Sequence, residues 1–322
     1  MIISSWSEVI YYLEKKNYTI QYTKSNFPKI IHQSWKTSIV PEKWTSSKEK
    51  WIEFHPDYLY ILWTDDMNFN LVQTYYPDYL EQFLNYPYGI QRADFSRICY
   101  LYRYGGLYSD LDIAPTRNCT SLLEYSNNTS DVNFNNIMNE ESCSIPKEVG
   151  LILDAGEFNP YIEDYSCNTG SAIHRSIGAI AKRCARYTNM FMISKPKSIF
   201  WEQVLLESRN QNVPKMYSTR HFRIIWTTGP LLIDRVAKKI CNQKIIYNLP
   251  VKYVHPCTAC DPNPCTKKGA YVTMLAGSSW ANSDSTIITW CSCNWKLITV
   301  IVIIIVIILI AYLIYNKENK KK

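Results

Sequence analysis

Residues Ile90 to Ile113 constrain this chain more than any other stretch. They read Ile-Gln-Arg-Ala-Asp-Phe-Ser-Arg-Ile-Cys-Tyr-Leu-Tyr-Arg-Tyr-Gly-Gly-Leu-Tyr-Ser-Asp-Leu-Asp-Ile. Ile90, Ala93, Ile98 and Leu101 recur at roughly helical spacing, which predicts a helix over 90–104. Gly105-Gly106 stops it and permits a turn too tight for other residues. A short strand over 107–113 follows, carrying Asp110 and Asp112. Two residues apart on a strand, these carboxylates point to one face. There they repel unless a cation sits between them. Oxygen-only ligands suit Mg²⁺ or Mn²⁺, which completes its shell with water and substrate phosphates. The segment therefore points to a site for a nucleoside diphosphate. Asp94 and Arg97, three apart, share a helix face. Arg97 can meet a phosphate and Asp94 a ribose hydroxyl, or the two can form a structural ion pair. Asp-x-Asp on its own is equally compatible with solvated charges at a strand end.

The surrounding pattern alternates strands with helices. Strands are expected over 28–35 and 58–63, and a helix over 42–54, opened by Pro41 in its first turn. Thr64 or Asp65 is placed to cap the next helix. Trp6, Val9, Ile10 and Leu13 predict an amphipathic helix over 1–16. Helices are also expected over 168–186, 196–208 and 228–240, and a polar loop or insertion over 117–145. This order predicts an α/β fold, a largely parallel twisted sheet with helices on its faces. In such sheets ligands bind beyond the carboxyl ends of the strands, where Asp110 and Asp112 stand.

Arg92-Ala-Asp94, Arg97 and Tyr104-Gly-Gly-Leu-Tyr-Ser-Asp110-Leu-Asp112 resemble the Asp-x-Asp sugar-binding region of glycosyltransferase family 32. That family includes yeast-type alpha-1,6-mannosyltransferases and mannosyl inositol phosphorylceramide synthases. Phe27–Trp35 resembles the family's opening strand and Tyr58–Asp65 its second. Asn189–Trp201, Thr228-Gly-Pro230 and Gly277-Ser-Ser-Trp280 resemble its later motifs. The resemblance implies a GT-A-like fold and a Mn²⁺- or Mg²⁺-dependent hexosyltransferase that keeps the donor's α configuration. It implies Asp112 as metal ligand, helped by Asp110 and Ser278. It implies Trp35, Asp94, Arg97 and Asp110 as donor-binding residues, with Trp35 near the nucleobase or simply in the core. Asn189 would sit near the anomeric carbon, and Trp280 would donate its indole N–H to the departing phosphate. One departure stands out: relatives carry His or Glu shortly before the late Ser-Trp, whereas this chain has Val272-Thr-Met-Leu-Ala276. His255 and Asp284 are candidates to compensate.

Leu297 to Tyr315 is a nearly unbroken run of Ile, Val and Leu. As a helix it is about 28 Å long, close to a bilayer's hydrocarbon core. It is expected to be a transmembrane helix and a single-pass C-terminal anchor in a Golgi-, ER- or viral-type membrane. The chain divides accordingly into a helix at 1–26, the glycosyltransferase-like body at 27–290, the span at 297–315 and a basic tail at 316–322. The body is expected to close near Ser292. The formal charge is +7, too mild to argue for nucleic acid and suited to an anionic sugar nucleotide or lipid surface. By the positive-inside rule the lysine tail is cytosolic and the body lumenal. Residues 1–26 hold no secretory leader, which favours a cytosolic body instead. Of the 11 cysteines, Cys257, Cys260, Cys265, Cys291 and Cys293 crowd before the span; they fit disulfides, a zinc knot or free thiols. Three functional classes remain. The first is a mannosyltransferase using GDP-mannose, with a glycan or sphingolipid headgroup as acceptor. The second is a toxin-like enzyme glycosylating proteins from UDP-glucose. The third is a non-catalytic membrane protein that keeps the fold.

Overall fold

The computed structural model describes residues 1–124, 149–154, 186–213, 219–240, 245–249, 251–254, 257, 260–261, 265, 268–277, 279 and 281–319. The helix expected over 168–186 lies outside these residues up to 185, as do most of the polar stretch expected at 117–145 and the last three lysines. Nine strands are described: β1 Ile2–Ile3, β2 Ile30–Ser34, β3 Leu59–Trp63, β4 Gly106–Ser109, β5 Ile113–Pro115, β6 Val149–Asp154, β7 Arg186–Ser194, β8 Ile246–Leu249 and β9 Val272–Met274. The helices used below are α1 Trp6–Val9, α2 Glu42–Phe54, α3 Asp65–Tyr75, α4 Leu80–Leu84, α5 Gly89–Tyr104, α6 Thr120–Glu124, α7 Ile199–Ser208, α8 Arg220–Thr227, α9 Pro230–Ile240, α10 Val251–Val254, α11 Ser283–Cys293 and α12 Trp295–Asn319.

Seven strands form one sheet in the order β1-β3-β2-β4-β7-β6-β8. The first four run parallel, β7 is antiparallel to both its neighbours, and β6 and β8 are parallel to each other. The α/β class with a mostly parallel sheet is thus as the alternation predicted. Every residue of β3, Leu-Tyr-Ile-Leu-Trp, is buried, as a strand covered on both faces requires. Pleating sends Leu59, Ile61 and Trp63 into the core under α3, α5 and α7, and Tyr60 and Leu62 into a second core with Trp51 of α2.

Two polar residues inside β2 are fully satisfied. His32 meets the Gly105 carbonyl through Nε2 and accepts from the Trp63 indole at Nδ1. Gln33 accepts from Tyr60 and donates to Ser47 and to the Asp110 carbonyl. The His32 imidazole is held near pKa 4 because burial disfavours its charge.

The predicted helix 90–104 is α5. Its glycine stop has a tertiary cause as well as a local one. Gly106 has φ +96°, and a Cβ there would lie 2.5 Å from the Ile30 carbonyl oxygen. Only glycine lets β4 approach β2 this closely.

The single strand predicted over 107–113 is instead two. β4 ends at Ser109, residues 110–112 turn, and β5 leaves to pair antiparallel with β9 in a separate sheet. The Ile113 N–H donates to the Asp110 carbonyl across this turn. The reading that put both carboxylates on one face by strand alternation is therefore corrected: a turn between two sheets holds them.

The N-terminal helix is also shorter than predicted. Ile2-Ile3 takes the open edge of β3 as β1, and Ser5 and Glu8 form a capping box that starts α1. The chain continues as a π-helical turn over Ile10–Glu14. Ile3 and Val9 belong to the main core, and Arg103 and Tyr104 bond Glu14.

Near the C-terminus, Cys257 pairs with Cys265 and Cys260 with Cys293 as disulfides, and Cys291 is a free thiol. The disulfide alternative is thus the one the structure holds. Cys293, one residue past the Ser292 near which the body is expected to close, covalently ties the end of α11 to Cys260. Trp295–Lys317 is long and apolar enough to cross a membrane, and its apolar window is not buried in the protein.

Candidate functional site

β2, β3 and β4 run the same way, so Trp35, Thr64 and Asp110 emerge at one edge of the sheet. Thr64 caps α3 through a bond from the Met67 N–H. At this edge α5 delivers Asp94 and Arg97 on one face, as their spacing predicted. Both are buried. Arg97 Nη2 lies 3.0 Å from Asp94 Oδ1, and Nη1 lies 3.1 Å from Asp110 Oδ1. The pair is an ion pair, and it is extended to the Asp-x-Asp turn. Nη1 also donates to the Asn189 backbone carbonyl at 3.1 Å. The guanidinium lies 4.4 Å from the centre of the Tyr108 ring, whose hydroxyl donates to Asp110 Oδ1.

Asp94 has further partners. The Thr228 hydroxyl donates to its Oδ2 at 3.3 Å, and the Asn189 amide reaches its Oδ1 at 3.5 Å. The Thr-Gly-Pro and Asn189 segments, over 90 residues away in sequence, thus converge on one carboxylate. Asp94, Arg97, Asp110 and Asn189 form one network.

Asp112 stands beside Asp110, half-buried. Its backbone is fixed by the Leu275 N–H donating to the Asp112 carbonyl, and that of Asp110 by its own N–H donating to Met190 and by Gln33. Burial, with Asp110 adding repulsion, pushes the Asp112 carboxyl up to about 7. Asp94 is likewise pushed up to about 7 by burial, against the pull of Arg97. Burial works against the Arg97 charge as well, but Asp110, Tyr108 and Asp94 together hold its pKa above the ordinary value.

One guanidinium therefore faces three carboxylates, and the site carries surplus negative charge. That surplus, on hard oxygen donors, fits a divalent cation. Asp110 Oδ1 is engaged by Arg97 and Tyr108, which leaves its other oxygen and the Asp112 carboxylate to hold one. Two protein carboxylates with the remaining positions open is the usual arrangement for a cation shared with substrate phosphates.

Trp35 is partly buried at the end of β2 and packs edge-on against Trp44, with ring centres 5.2 Å apart. Trp44 donates to the Ala276 carbonyl, which seats the late loop on α2. Ser278, Trp280 and His255 lie outside the described residues. The Val272–Met274 stretch that lacks the expected His or Glu is β9. Asp284, the other compensating candidate, caps α8 instead, accepting from the His221 N–H.

Sequence reasoning missed Tyr108, Gln33 and Lys43, and found the Thr228 motif without its contact. Two of these carried a signal: Gln33 is a polar residue inside an apolar strand, and Tyr108 shares the strand parity of Asp110.

Residues 41–131 match the family model described as a glycosyltransferase sugar-binding region containing DXD motif. The chain is 32% identical over 275 residues to inositol phosphoceramide mannosyltransferase 2 of Schizosaccharomyces pombe, covering 85% of this chain and 64% of that protein. It is 41% identical over 166 residues to mannosyl phosphorylinositol ceramide synthase CSH1 of Saccharomyces cerevisiae, covering 50% of this chain and 44% of that protein. The chain thus spans less than two thirds of these relatives. Among solved structures, PaToxG glycosyltransferase is a loose likeness, with 14% identity, 74% of this chain and 80% of that chain covered, and a TM-score of 0.39. The family 32 resemblance read from the motifs is the one these relatives share: the chain is a relative of the inositol phosphoceramide mannosyltransferases and carries, over residues 41–131, the glycosyltransferase sugar-binding region containing the DXD motif.

Proposed function

We propose that this chain is a metal-dependent glycosyltransferase that moves mannose from GDP-mannose onto a sphingolipid headgroup or related glycan, with retention of configuration. The observation that carries the reading is Arg97, buried and shared between Asp94 and Asp110, beside the carboxylate of Asp112. The mannosyltransferase relatives support the sugar and the lipid acceptor, and the apolar α12 supports an acceptor in a membrane. The two disulfides support a body on the oxidising side of that membrane, with the lysine tail opposite.

In this reading Asp112 and Asp110 hold Mn²⁺ or Mg²⁺, with Ser278 as a further ligand. When bound, the cation offsets the negative charge growing on the departing diphosphate. Asp94 accepts from sugar hydroxyls, and Arg97 orients it and favours its ionised form against the effect of burial. Asn189 closes the sugar side near the anomeric carbon. Trp35 lies along the nucleobase, and the Trp280 indole donates to the leaving phosphate. Because the carboxylates and Arg97 are fixed by β2, β7 and the loop after β9, they are positioned before the donor arrives.

The test is the full chain in vesicles containing inositol phosphoceramide, given a panel of nucleotide sugars with and without Mn²⁺. Mn²⁺-dependent transfer of mannose from GDP-mannose, with an α-linked product by NMR, is expected. Transfer from UDP-glucose to protein would favour the toxin-like reading. Failure to hydrolyse any donor would leave a non-catalytic membrane protein.

A further inference from the structure

We propose that Lys43 binds the diphosphate of the donor and forms the wall of the site opposite Arg97; the assignment rests on the nucleotide-sugar reading above. Lys43 is in the first turn of α2, exposed, with its ammonium 4.2 Å from the centre of the Trp44 ring. Trp44 is itself fixed by its indole bond to the Ala276 carbonyl, so the stem of Lys43 lies on a rigid platform. Gly277 follows immediately with φ +101°, and a Cβ on it would lie 2.7 Å from Lys43 Nζ. The positive φ by itself favours glycine here, and the ammonium rests on the side that a Cβ would occupy. Leu275, in the same loop, donates to the Asp112 carbonyl, so the loop that carries Gly277 is tied to the Asp-x-Asp turn. The start of α2, the loop over 275–277 and the Asp-x-Asp turn are therefore joined, with the Lys43 ammonium resting on that loop.

Among the described residues Lys43 has no carboxylate within ion-pair distance. An ammonium is a mobile point charge with three donors, suited to phosphate oxygens that shift as a bond breaks. Arg97 is buried and spends three of its five N–H groups on Asp94, Asp110 and the Asn189 carbonyl, whereas Lys43 is exposed with its donors free to turn. The positive end of the α2 dipole lies on the same side.

The experiment uses the full chain in detergent micelles with MnCl₂. Binding of GDP and of UDP is measured by calorimetry for the parent, Lys43→Met and Lys43→Arg. Lys43→Met is expected to weaken the better-bound diphosphate about tenfold, the scale of one lost charge-assisted contact. The difference should shrink at high salt, where exposed charges are screened. Lys43→Arg should stay within about threefold of the parent. Thermal melts report folding; Lys43 is exposed, so Lys43→Met should melt with the parent. A parent that binds and a Lys43→Met variant within twofold of it overturn the assignment alone. A parent that binds neither diphosphate overturns the nucleotide-sugar reading and this assignment with it.

Discussion

Asp112→Asn should make the protein less active and more stable at once, and this pairing discriminates a metal ligand from a structural carboxylate. Burial and Asp110 lift the Asp112 carboxyl to about 7. One factor of ten in proton affinity is about 1.4 kcal/mol, so a carboxyl raised from its ordinary range to about 7 costs the ionised fold at most about 4 kcal/mol. The group is half-buried and shares its repulsion with Asp110, so roughly 1–2 kcal/mol is the realistic gain on replacing it by an amide. For a chain of this size that is a melting shift of a few degrees.

The sign of the pH dependence follows. A carboxyl with a raised folded-state pKa adds stability below its ordinary range, and that stability is lost as pH climbs to about 7. The parent should weaken between about pH 4 and pH 7. Asp112→Asn should weaken less over that window, keeping the part due to Asp94, and its advantage should be full at pH 8 and absent near pH 4. Mn²⁺ should raise the parent's melting temperature by mass action and leave the variant's nearly unchanged, while transfer falls at least about 10²-fold as for other lost electrostatic catalytic groups. Circular dichroism melts from pH 4 to 8, with and without Mn²⁺, and a transfer assay at limiting Mn²⁺ suffice. A variant less stable than the parent at pH 8, or as active at limiting Mn²⁺, refutes the reasoning.

Three further outcomes follow from the geometry. Arg97→Met should destabilise by about 3 kcal/mol in melts at pH 7, the lower end for a broken buried pair, because the Asp110 side chain keeps 30% exposure. Gly106→Ala should cost at least about 2 kcal/mol, since its φ of +96° and its contact with the Ile30 carbonyl both exclude a Cβ; a parent-like melt would contradict it. Cys260→Ser opens a link between residues 33 apart and should lower stability by about 3 kcal/mol. Chains truncated before Cys293 should show the same loss, measured by melts under non-reducing conditions.

The sequence by itself determined the α/β class, because strand and helix lengths and their alternation are set by local periodicity. It determined the Asp94–Arg97 face, since three residues along a helix is a fixed geometry. It also located the apolar span, which depends only on length and the absence of charge. It did not determine where the strand before Asp110 ends: Ser109 to Ile113 keeps the polar–apolar alternation of a strand, and only pairing with β9, some 160 residues on, pulls β5 away into another sheet. It offered three fates for the late cysteines, because pairing needs Cα atoms brought within reach by the whole fold. It named Asn189 and Thr228 by motif, yet their meeting at Asp94 depends on β7 running antiparallel to β4 and on α9 packing against it. Lys43 carried no signal at all, since a lysine in the first turn of a surface helix is ordinary until the chain returns at Gly277 against its ammonium. Local rules fix what a segment can be; the burial of charge among three distant segments, which is what a site consists of, exists only once the tertiary structure has formed.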